Sequence, residues 1–136
     1  MEWTNGDYTL TDDKSRLDLD AICRLLAETY WAKDRPRGIM EEAIKHSVCL
    51  GLFHGSQQVG FSRGVTDHAT FTWVCDVVIH PAHRSKGLGK WMVKCLLEHP
   101  ALQTITHVLH TRDAHGLYER FGFKRGEYLR RSTKPG

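Results

Sequence analysis

Val77-Val78-Ile79-His80-Pro81-Ala82-His83-Arg84-Ser85-Lys86-Gly87-Leu88-Gly89-Lys90 joins an apolar strand to a basic loop and the loop to a helix. Pro81 stops the strand, and two glycines punctuate the loop before the helix begins. The first turn of a helix has unpaired N–H groups and a partial positive charge, so it attracts anions. Glycine lets a phosphate approach the backbone closely. Arg84, Lys86 and Lys90 add cationic side chains around the same turn. The GxxxxGK[ST] spacing of a P-loop is absent, as is the GxGxxG of a dinucleotide fingerprint. By itself the pattern is equally a glycine-containing connection with solvated basic residues.

The context extends in both directions. Thr70 to His80 predicts a central strand: Phe71, Trp73, Cys75, Val77 and Ile79 fall on one face, Val74, Asp76 and Val78 on the other. Upstream, Val48 to Phe53 and Gln58 to Thr66 read as strands, separated by the turn signals His54-Gly55-Ser56-Gln57 and followed by Asp67-His68-Ala69. Asp7 to Thr11 reads as a short first strand. Asp18 or Asp20 caps a helix with the stripe Ile22, Leu25, Leu26, Thr29 and Tyr30. Asp34 caps a second helix, with Pro36 in its first turn and Met40, Ala43 and Ile44 facing inward. Downstream, Leu88, Trp91, Met92, Cys95 and Leu96 define a third helix that ends at Pro100. Thr104 to His110 reads as a strand. Asp113 caps a fourth helix with the stripe Ala114, Leu117, Tyr118 and Phe121, ended by Gly122. Phe123 to Arg130 reads as a last strand, and the tail from Arg131 to Gly136 is polar. The expectation is one α/β domain over residues 1–136, with a mixed central sheet of about six to seven strands and about four helices.

Composition narrows the function classes. A length of 136 residues is ordinary for one domain. A hydrophobic fraction of 40% with 26% charged residues is too apolar for a disordered chain. No apolar run approaches the roughly 18 residues of a membrane span. Met1 to Asp7 has no basic stretch followed by an apolar one, so no secretory leader and a cytoplasmic location are expected. The net charge of +3 suits an anionic small ligand, and the scattered basic residues of the C-terminus argue poorly for nucleic acid. Cys23, Cys49, Cys75 and Cys95 form no CxxC pair and lie in apolar segments, as reduced buried thiols do. His80 and His83 form an H-x-x-H pair in a loop with no third ligand in view, so no metal is expected.

Arg84-Ser85-Lys86-Gly87-Leu88-Gly89 after a central strand resembles motif A, [Q/R]-x-x-G-x-[G/A], of the GNAT family of N-acetyltransferases. Ala114-His115-Gly116-Leu117-Tyr118-Glu119-Arg120-Phe121-Gly122-Phe123 resembles its motif B, A-x-x-x-Y-x-x-x-G-F. In element order the resemblance spans Asp7 to Tyr128, and its specific part is these two motifs. It implies a transferase that moves an acetyl group from acetyl-CoA to a primary amine by direct attack in a ternary complex. An acyl-CoA-binding sensor or scaffold without transfer activity is the alternative. The resemblance assigns the pantetheine contacts to the backbone of Val77, Val78 and Ile79. It assigns the pyrophosphate to Ser85, Lys86, Gly87, Leu88, Gly89 and Lys90, with Arg84 beside them. Tyr118 takes the position of the tyrosine that protonates the departing thiolate; a phenol is protonated at neutral pH and can donate. Many relatives have a cofactor-contacting asparagine seven residues earlier, where this chain has Thr111.

Asp76 is the candidate base, because a carboxylate in mid-strand is expensive unless partnered and burial raises the pKa of a carboxylate. Holding a cationic substrate, or bonding a backbone amide or an arginine, are the other roles open to it. His107, His110 and His115 lie near Tyr118 in sequence and read as strand and cap residues or as cleft lining. In the family the loop between the first two helices commonly walls the acceptor site. Here that places Tyr30 and Trp31 to stack on the acceptor and Arg35 and Arg37 to bind an acidic group on it. The expected partner is a small-molecule or peptide amine, with no nucleic acid and no membrane. Family members are often dimers, which implies a homodimer with the C-terminal strand as its edge. Without a base beside any cysteine, no covalent enzyme intermediate is expected.

Overall fold

The strand patterns form a six-stranded sheet in the computed structural model, which describes residues 1–134. Chain order and sheet order coincide: β1 (Glu2–Asn5), β2 (Tyr8–Thr11), β3 (Val48–His54), β4 (Gln57–Thr66), β5 (Phe71–Ile79) and β6 (Thr106–Leu109). Neighbours are antiparallel except β5 and β6, which run parallel because a helix separates them in the chain. Four α-helices accompany the sheet among the described residues: α1 (Leu19–Ala27), α2 (Arg37–Lys45), α3 (Leu88–Glu98) and α4 (His115–Glu119). The mixed α/β architecture is therefore as expected.

Each face of the sheet carries its own core. On one, Leu88, Met92 and Leu96 of α3 pack on Leu10, Leu50, Leu52 and Val74. On the other, Ile22, Leu25 and Leu26 of α1 and Met40 of α2 pack on Phe61 and Val78. Burying each such side chain contributes about 1.5–3 kcal/mol. Asp18 starts α1 where the pattern placed a cap, its side chain accepting from the Ala21 amide at 3.1 Å.

Several boundaries differ from expectation. A first strand, Glu2–Asn5, precedes the expected one; it is a mostly exposed edge, so it lacks an apolar signature. α1 ends at Ala27, leaving Thr29 and Tyr30 in the turn that follows. Pro36, not Asp34, is the N-cap of α2, with no side-chain bond. The fourth helix has Ala114, not Asp113, at its N-cap; Thr111 Oγ1 accepts from the Ala114 amide at 3.0 Å instead. That helix is a single short turn, and Phe121 lies beyond it. Phe123 to Arg130 forms no strand of the sheet among the described residues. Of the polar tail, residues 135 and 136 lie outside the described residues.

The largest correction lies in β5. Arg63 opposes Cys75 and Phe61 opposes Val78, so β4 spends one residue, Ser62, against two on β5, Asp76 and Val77. This is a β-bulge, with Asp76 in the left-handed region at φ 55°. Aspartate tolerates that region better than most residues. A bulge reverses alternation. Before it Val74 faces α3; after it Val77 and Ile79 face α3 while Val78 faces α1. Cross-strand partners share a face, so Cys75 lies on the side of Arg63 and Asp76 rather than facing away from Asp76.

Candidate active site

β5 and β6 pair only from Phe71–Thr106 to Val74–Leu109. Beyond that register they part, and the β6-side edge of β5 loses its partner strand at the bulge. A cleft of about 760 Å³ opens there. Residues 77–79 of β5 line its floor, Ser85, Gly87 and Gly89 one end, and Leu117 and Tyr118 the wall from α4. Tyr30 and Trp31 close it from the α1–α2 turn.

The loop end has the geometry of an anion cradle. Ser85 and Gly87 both have positive φ, 65° and 76°, and Gly87 is the N-cap of α3 with no side chain satisfying the first turn. A Cβ on Gly87 would meet nothing within 4 Å, so its requirement is conformational. A Cβ on Gly89 would meet only Ile79 at 3.8 Å; the space it would fill is at the mouth of the helix. Arg84 lines the cleft and its Nε donates to the Ile79 carbonyl at 3.0 Å. Lys86 and Lys90 do not line it; Lys86 Nζ sits 3.5 Å from the Tyr8 hydroxyl. Leu88 lines the cleft while belonging to the core of α3. The unpaired amides, open space and adjacent guanidinium fit a pyrophosphate. The H-x-x-H histidines turn to other partners: His80 Nδ1 accepts from the Ala82 amide, and His83 Nδ1 lies 2.7 Å from the Tyr8 hydroxyl.

Tyr118 is buried against Phe123, ring centroids 6.0 Å apart. Burial pushes its phenol up to about 12. Thr111 lines the same cleft, with its oxygen accepting from Ala114 and its hydroxyl proton left to donate. His110 lines the cleft as well, whereas His107 is turned to the Leu102 carbonyl at 2.6 Å.

Asp76 is fully buried and fully engaged. Its Oδ1 accepts from Trp31 Nε1 at 3.1 Å; its Oδ2 accepts from Arg35 Nη1 at 2.7 Å and Arg63 Nε at 2.9 Å. Of the roles open to it from sequence, this geometry is that of an anchor for arginines. Trp31 is thereby fixed edge-on to Tyr30, at 5.0 Å and 82°. Tyr30 is held in turn: its hydroxyl accepts from the Arg112 amide at 2.9 Å, and the Arg112 guanidinium lies over its ring at 3.8 Å. Arg37 lies outside the cleft lining and pairs with Asp20. The thiols of Cys49 and Cys75 are pushed by burial to about 11 and about 12, so neither is a ready nucleophile.

Sequence reasoning missed Arg63, Trp73, Glu28 and Arg130, all of which line the cleft. For Arg63 a signal existed. A cation in the apolar middle of β4 and an anion in the apolar middle of β5 each need a partner, and each is the other's.

Comparison with known proteins agrees with this geometry. The model of the "Acetyltransferase (GNAT) domain" matches residues 45–125, more than half of the chain. A Gibberella zeae protein named "Putative acetyltransferase" is 35% identical over 128 residues, covering 79% of this chain and 71% of its own. "Uncharacterized N-acetyltransferase ycf52" of Porphyra purpurea is 30% identical, covering 86% of this chain and 70% of its own. Among solved structures, a "putative acetyltransferase belonging to the gnat family" from Xanthomonas campestris pv. campestris superimposes with a TM-score of 0.87 at 40% identity, over 95% of this chain and 94% of that one. With the cleft, the loop and the fold all in agreement, the chain belongs to the GNAT family of acetyltransferases.

Proposed function

We propose that this chain is an acetyl-CoA-dependent N-acetyltransferase that works by direct attack in a ternary complex. The observation that carries this reading is the cleft itself. One continuous space has the unpaired first turn of α3 at one end, the free edge of β5 along its floor, and Tyr118 in its wall. Acetyl-CoA would supply the acetyl group as a thioester. The amides of the Gly87–Lys90 turn would hold the diphosphate. Residues 77–79 would receive the amide-bearing arm as an added strand. Their N–H groups would also polarise the carbonyl oxygen.

In the chemical step the acceptor nitrogen forms a bond to the carbonyl carbon while the C–S bond breaks, and the nitrogen gives its extra proton to water. Tyr118, in the cleft wall, would face the departing sulfur. A phenol at about 12 is a weaker acid than an ordinary thiol near 8.5, so proton transfer to the thiolate is uphill. The hydroxyl therefore acts chiefly as a hydrogen-bond donor to the developing charge, and solvent completes the protonation. Raised thiol pKa values at Cys49 and Cys75 support a route without an acyl-cysteine.

Calorimetric titration with acetyl-CoA and with CoA tests the reading. Binding at about one per chain is expected, weakened at least tenfold by Gly89→Val, which fills the mouth of α3. A folded sample that binds neither compound would sink it. Sequential initial-rate kinetics are expected with a good acceptor, and an acetylated enzyme isolated without acceptor would refute direct attack.

A further inference from the structure

Arg63 is more elaborately held than a packing residue needs to be, and less completely satisfied. Its Nε donates to Asp76 Oδ2 at 2.9 Å and its Nη1 to Ser47 Oγ at 2.9 Å. Its Nη2 donates to no described residue, yet is not sealed from solvent. The side chain is only 12% exposed, and the residue lines the cleft. An anchored guanidinium with its Nη2 left over inside a cleft is a receptor for an oxygen anion, and a carboxylate matches its planar fork. Asp76 does not saturate it, because that carboxylate also serves Arg35.

Position puts that donor at the reacting end of the cleft. Arg63 opposes Cys75, one residue before the bulge from which the free edge of β5 begins. Asp76, which holds its guanidinium, is the bulge residue itself. A small amino acid carries an anion and an amine within a few bonds of each other. Trp31 and Trp73 give the same end of the cleft apolar walls, and Glu28 has the charge to receive an ammonium group there. We propose that Arg63 is the anion subsite of the acceptor end and that the acceptor is a small amine carrying a carboxylate close to its nitrogen, a reading that rests on the acetyl-transfer function proposed above.

The test sets a panel of free α-amino acids against their carboxamides. Acetyl transfer is followed by release of CoA, and binding by tryptophan fluorescence with and without CoA. At least one free acid should exceed its carboxamide by about tenfold in kcat/KM and in affinity. The carboxamide amine is the less basic of the pair, so this preference cannot come from a larger share of neutral amine. Arg63→Gln, which keeps a donor for Asp76, should bring the pair to within about threefold. Should that variant not fold, the wild-type pair decides together with Arg63→Lys, which should retain part of the preference. Carboxamides bound and acetylated as well as their acids, or a folded Arg63→Gln with its preference intact, would overturn the subsite while leaving the transferase. Absence of transfer to every amine would instead overturn the transferase, and the fluorescence titrations would still decide the subsite.

Discussion

At the scale of single residues, Tyr118 and Asp76 carry opposite kinds of prediction. Tyr118→Phe keeps the ring and removes one hydrogen-bond donor, so turnover should fall by on the order of 10²-fold while CoA affinity is spared. Unchanged turnover in steady-state assays would remove the tyrosine from the mechanism. Because its folded pKa of about 12 lies above the unfolded value near 10, burial of the neutral phenol contributes stability below pH 10 that is lost as pH rises toward 12. Denaturant melts from pH 9 to pH 12 should therefore show wild type losing stability faster than Tyr118→Phe. Asp76→Asn makes the other prediction. It leaves Arg35 and Arg63 beside a neutral amide, and removing one partner of a buried ion pair costs about 3–5 kcal/mol. Urea unfolding should show that loss; a variant of wild-type stability with dead catalysis would restore Asp76 as a base. The oddity of Asp76 was legible, since a carboxylate in an apolar strand demands a partner. Its partners were not, because Arg35 and Arg63 are 41 and 13 residues away and only the folded sheet brings them to it.

At the scale of elements, legibility follows how periodic and how buried each segment is. α1, α3 and strands β3 and β4 survived into the structure with shifted ends, and β5 survived as a strand whose faces switch at Asp76. β1 is an exposed edge with no apolar stripe to read, and α4 is a single turn, so the stripe read out to Phe121 overran it. Phe123 to Arg130 has the residues of a strand, but strandedness needs a neighbour. This segment instead lays Tyr128 against Trp73 and His110, ring centroids 6.4 and 5.5 Å apart. The helix caps at α2 and α4 failed for a related reason. Asp34 and Asp113 are good capping residues, but the chain enters α2 from Pro36 and lets Thr111 serve α4. Of the cleft lining, the loop and Tyr118 could be singled out because they form compact motifs, whereas Trp31, Arg63 and Trp73 come from the α1–α2 turn, β4 and β5 and meet only in the fold.

At the scale of the whole molecule, the cleft divides a well-packed body from a lightly attached wall. Ligand that bridges the two should stabilise the folded state by mass action, about 2.7 kcal/mol at a concentration one hundred times its dissociation constant. A thermal melt with acetyl-CoA should thus move upward by several degrees and keep rising with the logarithm of concentration. A melt indifferent to acetyl-CoA would contradict a preformed site. The sheet also has a property that belongs to no single residue. One strand serves both cores, and the left-handed turn at Asp76 is where it changes allegiance. That residue works as a one-position frameshift written into a folded sheet. Straightened into regular pairing with no residue removed, β5 would put Val77 and Ile79 into the α1 layer and send Val78 to the α3 layer, and a different set of residues would turn their N–H and C=O groups to the cleft. The chain thus encodes which side of its sheet meets the ligand by one extra residue in β5 and by the left-handed turn that accommodates it.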